Sequence, residues 1–523
     1  MNDAAHPQLS KAATGIDGLD AITEGGLPAG RPTLLCGQAG CGKTLFGVTF
    51  LVEGAIRFGE PGVLMTFEER PQDISDNVKS LGYNLNGLIG SKKLVIDHVK
   101  IERGENEQSG EYDLEGLFVR LGYAIDKIGA KRVVLDTMEN LFAGLADSTI
   151  LRSELRRLFS WLKEKSVTAI ITAERGEGHL TRHGLEEYVS DCVILLENRV
   201  QNQITTRLLR VVKYRGSTHG TNEYPFLIDQ QGISVLPITS AGLRHQTSSE
   251  PVPTGIPGLD SMLGAGGYYK ASSILISGAS GSGKTIFGSH FANATCERGE
   301  RCLYFAFEES PGQIVRNVLS VGIDLQKHLD SGLLRFEAAR PTLYGFEMHL
   351  ARMNRDLDDF RPSTTIIDPI SAFRGPESEV HSCLLRMVDI LKTKGITAVM
   401  TRLTYEDENI GGGDQGIPSL IDTWVSLGAL EADGERNRGL YVLKSRGMDH
   451  SNQIREYQIT KNGIQLLDVY RSVGGVLVGS ARRHAQATQR EKRDGNGTKG
   501  AMSGKQKPIL KGQGRTRPQG KSS

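Results

Sequence analysis

The sequence predicts an α/β protein built twice over: two tandem domains, each a mainly parallel sheet flanked by helices, followed by a basic disordered tail. Two observations carry this. Apolar runs of about five residues alternate with longer amphipathic stretches, the pattern of buried parallel strands joined by covering helices. A set of blocks also recurs in the same order at nearly constant spacing. TGIDGLD from Thr14 returns as TGIPGLD from Thr254, 240 residues on. GQAGCGKT from Gly37 returns as GASGSGKT from Gly278, 241 on. TFEERPQDI, holding Glu68 and Glu69, returns as AFEESPGQI with Glu308 and Glu309, 240 on, and KYRGSTH from Lys213 returns as KSRGMDH from Lys444, 231 on. The chain is a duplication.

In the first copy the runs at 32–36, 62–67, 132–136 and 168–171 read as strands, and 43–56 and 113–128 as helices. Near the end of each copy ITTRLLRVVKY and GLYVLKS, each before an Arg-Gly turn, read as antiparallel hairpin strands. Periodicity fails around 240–252, where Ser, Thr and Pro gather as in linkers. The expected division is an N-terminal arm at 1–13, a first domain at 14–239, a linker at 240–253, a second domain at 254–477 and a tail at 478–523.

Composition narrows the class. Hydrophobic residues make up 38% and charged residues 24% of the 523, a globular profile. No apolar run approaches the ~18 residues of a membrane span, and no membrane contact is expected. The first residues lack the basic head and apolar stretch of a secretory leader. The six cysteines form no CxxC pair and no zinc spacing, so a reduced cytoplasmic setting fits. The net charge of +1 hides an asymmetry: residues 481–523 hold 12 Lys/Arg and 2 Asp/Glu, leaving 50 against 59 in the rest. The tail reads as a solvated segment first, and as a contact for nucleic acid or an acidic partner second.

G-x-x-x-x-G-K-[ST] is specific when it follows a strand and opens a helix, and both copies meet that condition. Glycines let backbone N–H groups turn inward to cradle phosphates beside a helix N-terminus. The first loop is Gly37, Gln38, Ala39, Gly40, Cys41, Gly42, Lys43 and Thr44; the second is Gly278, Ala279, Ser280, Gly281, Ser282, Gly283, Lys284 and Thr285. Lys43 and Lys284 are expected to reach the β- and γ-phosphates, and Thr44 and Thr285 to face Mg²⁺. The other metal-side carboxylate should end a buried strand beside the P-loop strand. Asp136 and Asp368, each closing an apolar run, fit that place, although a strand-end Asp also caps turns. Neither is followed by Glu, so a base must come from elsewhere. Glu68, Glu69, Glu308 and Glu309, at the end of another strand, should face the γ-phosphate and orient or deprotonate an attacking water or hydroxyl. Their bland reading is helix-start acids favoured by the dipole. Lys213, Arg215 and His219, with Lys444, Arg446 and His450, form a second basic cluster far in sequence from the P-loop. Phosphoryl transfer gains from a cation supplied by a neighbour, so the cluster suggests a ring with each site between protomers; an exposed basic hairpin is the alternative. A P-loop does not choose its base, but no guanine-selective N/T-K-x-D motif appears.

Taken together, these blocks resemble the KaiC family of circadian clock proteins, RecA-like P-loop ATPases in their two-domain form. The likeness runs from about Thr14 to Gly475, through both P-loops, both F-E-E-[RS]-P motifs, the K-x-R-G-x-x-H turns, SDCVILLENRV and IREYQITKNGIQLLD. It implies ATP and Mg²⁺ as cofactors and a homohexamer of two stacked rings. The first ring would be a slow ATPase using Glu68 and Glu69. The second would be a serine/threonine autokinase and autophosphatase, in which Glu308 or Glu309 activates a hydroxyl on the adjacent protomer. The resemblance also implies that Lys213, Arg215, His219, Lys444, Arg446 and His450 reach nucleotide across the subunit boundary, with Arg438, and that Ser80 touches it. The family's adjacent Ser-Thr acceptor pair is matched by Pro418-Ser419, so Ser419 alone remains as phosphoacceptor and an ordered two-site cycle is not expected. A KaiB-like partner suits the first ring. The tail does not resemble the family's activator-binding peptide, so a KaiA-like activator is not expected.

Two rivals stand against this reading. A RecA-like DNA-dependent ATPase would use the tail to grip nucleic acid, but no basic aromatic stripe for stacking bases accompanies it. A scaffold stabilised by barely hydrolysed nucleotide would show negligible turnover, left unchanged by Glu68→Gln and Glu69→Gln.

Overall fold

The computed structural model describes residues 9–99, 114–141, 148–176, 180–181, 190–201, 204–230, 232–237, 247–341, 345–373, 376–404, 417–432, 435–468, 470–472, 475–477 and 479. Apart from its second residue, Gly479, the expected tail at 478–523 lies outside them.

The first half runs β1 (Pro32–Gly37), α1 (Lys43–Arg57), β2 (Gly62–Thr66), α2 (Pro71–Lys79), β3 (Leu94–His98), α3 (Glu115–Ile128), β4 (Arg132–Asp136), α4 (Ser148–Glu164), β5 (Thr168–Glu174), β6 (Cys192–Gln201), β7 (Ile204–Tyr214), β8 (Glu223–Asp229) and β9 (Gly232–Val235). The second half repeats it with β10 (Ser273–Gly278), α5 (Lys284–Glu297), β11 (Cys302–Ala306), α6 (Pro311–Leu319), β12 (Leu334–Ala338), α7 (Phe346–Phe360), β13 (Thr364–Asp368), α8 (Glu377–Thr393), β14 (Thr397–Leu403), β15 (Thr423–Ala432), β16 (Glu435–Ser445), β17 (Arg455–Thr460) and β18 (Gly463–Leu466). Each half forms one 9-stranded sheet, in the orders β9-β8-β7-β6-β1-β5-β4-β2-β3 and β18-β17-β16-β15-β10-β14-β13-β11-β12. The order is the same in both. From β3 across to β6 the neighbours run parallel, and β7, β8 and β9 are added antiparallel.

Alternation along β1 sends successive side chains to opposite faces. Leu35 packs with Phe46 and Phe50 of α1 in one core layer. Leu34 and Cys36 pack with Leu121 of α3 and Leu158 of α4 in the other. This two-faced burial is why the strands read as continuous apolar runs. The halves touch through β8 and α7: Leu227 and Leu236 join the core around α7 and α8, and Arg355 pairs with Asp229.

Three sequence expectations are adjusted. Lys11–Ala12 of the expected arm pairs with Leu27–Pro28, and Pro251–Val252 of the expected linker pairs with Tyr268–Tyr269, so both segments are tied into the domains they precede. The strand that ends at Asp136 is not beside the P-loop strand. β5 lies between β1 and β4, and β14 lies between β10 and β13.

Candidate functional site

Each P-loop leaves the carboxyl end of the central strand, and backbone geometry explains its glycines. Gly40 and Gly42 have φ of 74° and 102°, and Gly281 and Gly283 have 76° and 92°, values at which L side chains are strained. At Gly37 a Cβ would lie 2.5 Å from both Cys41 Sγ and Leu196 O, whereas at Gly40 and Gly281 it would meet nothing within 4 Å. The root of the loop is tight and its mouth is open. Lys43 Nζ donates to Gly37 O at 2.9 Å and Gln38 O at 3.0 Å. Lys284 Nζ donates to Gly278 O and Ala279 O, both at 2.9 Å. Each ammonium therefore stands over its own loop. Burial lowers the Lys284 pKa, against the charges of Asp368 and Glu308, which raise it. Cys41 is buried and its thiol is pushed up chiefly by that burial.

Asp136 ends β4 almost fully buried. Burial raises its pKa and the charge of Glu68 adds to this; hydrogen bonds from Thr172 and Thr44 and the charge of Lys43 oppose. The Thr172 hydroxyl, on the intervening β5, donates to Asp136 Oδ1 at 2.5 Å. Thr44, Lys43, Asp136 and Glu68 thus share one pocket of charge, even though β4 is one strand further from β1 than expected. In the second half Thr401 on β14 donates to Asp368 Oδ1, and Tyr304 Oη on β11 donates to Oδ2 at 2.7 Å.

The glutamates lie past the strand ends at Thr66 and Ala306, ahead of α2 and α6. The N-caps of those helices are Arg70 and Ser310, so the acids stand just ahead of the first turn. Glu68 Oε1 accepts from Thr137 Oγ1 at 3.0 Å and from Asn140 Nδ2 at 2.7 Å. Glu69 accepts from Asn77 at 3.3 Å, and its pKa is raised by burial and by the charges of Asp136 and Glu68. Glu309 accepts from Asn317 at 3.2 Å.

The basic clusters stand at the other end of the sheet. Thr33 is level with Cys192, which faces Tyr214, while Gly37 is level with Leu196, which faces Leu209. Lys213, Arg215 and His219 therefore cluster at the strand ends opposite their own P-loop. The second half repeats this, with Ile274 level with Thr423 and Ser445, and Gly278 level with Leu427 and Leu440. Lys444, Arg446 and His450 fall at the far end, where burial and then Arg446 lower the Lys444 pKa. Arg446 donates through Nη2 to the Ser419 carbonyl at 2.7 Å, so the exposed Ser419 belongs to that end too. Arg438, on β16, does not join them: it faces Ala429 on β15, level with its own P-loop. Ser80 caps α2 and donates to Asn77 O at 3.1 Å.

The chain matches the family model "ATPase: KaiC" twice, over residues 12–240 and 252–470. It belongs to the KaiC ATPase family. It is 55% identical over 481 residues to "Circadian clock protein KaiC2" of Synechocystis sp., covering 91% of this chain and 84% of that protein. It is 39% identical to "Circadian clock oscillator protein KaiC" of Thermostichus vulcanus (91% and 92% covered) and 38% identical to that of Synechococcus elongatus (92% and 94%).

Sequence reasoning missed several side chains that shape this KaiC-family site. Thr172, Thr401 and Tyr304 sit inside apolar strands, where a lone polar residue was the available signal. Thr137, just before the short helical turn Met138–Leu141, and Asn140 within it carry no pattern of their own. Asp191 and Asp422, just before β6 and β15, accept the Arg215 and Arg446 amides at 2.8 Å through their carbonyls and so seat the basic turns. Asp191 is 5% exposed and pairs with Lys163 at 2.6 Å; Asp422 pairs with Lys392 at 2.8 Å.

Proposed function

We propose that this chain forms a hexamer of two stacked rings, in which the first half hydrolyses Mg-ATP and the second transfers phosphate from ATP to its own serine. The observation that carries the reading is the separation within each sheet. The P-loop stands at one end and the Lys-x-Arg-Gly-x-x-His turn at the other, so the cations of that turn reach a transferring phosphoryl group only from a neighbouring copy. A head-to-tail contact of this kind closes into rings, and a cation supplied in trans is a strong lever in phosphoryl transfer.

The residues suit the cofactor. Thr44 with Asp136, and Thr285 with Asp368, offer the hard oxygen donors that Mg²⁺ prefers, directly or through water. The metal ion would neutralise charge on the phosphates. A cation there also offsets the cost of holding Asp136 ionised in its buried site. Lys43 and Lys284 turn from their own loop carbonyls to the phosphates. Glu68, with Glu69 beside it, orients water in the first half; Glu308 or Glu309 takes the proton of a serine hydroxyl in the second. Ser419 lies at the far end of its own sheet, so it meets a neighbour's P-loop and not its own. Lys213, Arg215, His219, Lys444, Arg446 and His450 act across the boundary. Arg438 is level with the P-loop of its own chain, which favours a contact made from that side.

Likeness to clock proteins of the family supports a timekeeping role and a KaiB-like partner of the first ring. No helix among the described residues is long and apolar enough to cross a membrane. Incubation with radiolabelled ATP, followed by native mass and phosphopeptide mapping, tests the whole reading. Hexamers, released phosphate and label at Ser419 are expected. Monomers that hydrolyse at full rate would refute the shared site, and label only at other residues would refute Ser419.

A further inference from the structure

The two halves hold their first glutamate differently. Among the described residues Glu68 accepts two side-chain hydrogen bonds, both on one oxygen, Oε1, from Thr137 at 3.0 Å and from Asn140 at 2.7 Å. The second half keeps the surrounding loop. Glu139 Oε1 accepts from the Glu174 amide at 2.5 Å, and at the matching place Ser371 Oγ accepts from the Leu403 amide at 3.1 Å. Counted from the strand-end Asp, Thr137 then corresponds to Pro369 and Asn140 to Ala372. Neither proline nor alanine has a side-chain donor. Among the described residues Glu308 accepts no hydrogen bond, and its interaction is with the charge of Lys284.

We propose that Thr137 and Asn140 are positioning residues that clamp Glu68 by Oε1 and leave Oε2 aimed for a water, which specialises the first half for hydrolysis. The inference rests on the reading of Glu68 as the carboxylate that orients water. A carboxylate on an exposed loop samples several rotamers, and each productive encounter costs the entropy of selecting one. Two donors on one oxygen remove that freedom before substrate arrives, which is how remote hydrogen bonds improve a near-attack geometry. Holding Oε1 also fixes which lone pairs remain for the water. In the second half an unclamped Glu308 can follow a bulkier nucleophile, a serine on a neighbouring copy, where a fixed position suited to water would be wrong.

The test uses full-length protein carrying Glu308→Gln and Glu309→Gln, so that released phosphate comes from the first half. In that background Thr137→Val, Thr137→Ser, Asn140→Ala and Glu68→Gln are compared by kcat, KM for ATP and thermal midpoint. Thr137→Val and Asn140→Ala are each expected to lower kcat about tenfold with KM nearly unchanged. Thr137→Ser, which keeps the hydroxyl, should restore the parent rate, and the double variant should approach Glu68→Gln. A merely structural role would move the midpoint without the serine-specific rescue. If Glu68→Gln abolishes turnover while Thr137→Val and Asn140→Ala stay within twofold of the parent, the clamp is overturned and the reading of Glu68 stands. If Glu68→Gln itself leaves turnover unchanged, both fall.

Discussion

A mixing experiment decides whether the site is shared. Lys43→Ala removes the P-loop ammonium, and Arg215→Ala removes a cation from the far end of the same sheet. Four residues of β1 separate the level of Thr33 from that of Gly37, so at roughly 3.3 Å per residue the two ends are at least about 13 Å apart. The Lys43 side chain extends beyond one end and Arg215 beyond the other. A charge-assisted hydrogen bond needs ~2.7–2.9 Å, so Arg215 serves no phosphate on its own P-loop. Each variant alone should lose most turnover, on the order of 10³-fold for a cation supplied in trans. The two variants, separately tagged and coexpressed in equal amounts in the Glu308→Gln/Glu309→Gln background, form mixed rings. Half the sites then have an intact P-loop, and half of those face an intact Arg215. About a quarter of the parental phosphate release should return in a closed head-to-tail ring. Native mass verifies that the rings are mixed. Mixed rings with no more turnover than the separate variants would refute the argument, because only a site closed within one chain gives that result.

Three further outcomes follow from packing and charge. Arg132 is 1% exposed, pairs with Glu60 at 2.6 Å and donates to Phe50 O at 2.8 Å and Ala13 O at 2.6 Å; Arg132→Ala should destabilise the first half by about 3–5 kcal/mol. Glu60→Ala should cost less, since Glu60 is 34% exposed and water can take its place. Trp161 lies in the first half and Trp424 in the second, and the chain has 2 Trp, so urea unfolding of a Trp424→Phe parent by fluorescence reads the first half alone. Tyr304→Phe removes the donor to Asp368 Oδ2 and should lower the second half's stability by about 1–3 kcal/mol, read from Trp424 in a Trp161→Phe parent. For Asp422, burial would raise the pKa, but hydrogen bonds from Lys392 and Ser273 outweigh it and hold the carboxyl below its ordinary value. A depressed pKa means stability that is fully present above the unfolded value of about 3.9 and is lost as pH falls through the lower folded value. The gap in unfolding midpoint between the parent and Asp422→Asn should therefore be constant near neutrality and shrink below about pH 4; a gap unchanged down to pH 2 would contradict the assigned pair.

Much of the fold was legible because its signals are local. A P-loop is defined by a glycine turn between a strand and a helix, and both copies show it within eight residues. Strand and helix periods of 2 and 3.6 placed α1 from Lys43 and β4 at Arg132–Asp136 without any tertiary knowledge. The repeat then made each reading twice over. Glu68, Glu69, Asp136 and their counterparts could be singled out because a carboxylate closing an apolar run at a strand's carboxyl end has few structural reasons to be there. Their partners could not, since Thr172, Tyr304 and Asn140 act from other elements and carry ordinary residue types.

By itself, then, the sequence determined the number of domains, the alternation of their elements, the phosphate loops and the family. The tertiary structure decided the order of the strands. It placed β5 between β1 and β4, so that Asp136 is reached through Thr172, and it set the basic turns at the end of the sheet opposite the P-loop. The physical reason is range. Backbone preference and hydrophobic period are written in neighbouring residues, whereas strand order is settled by which long-range packing buries both faces of the sheet.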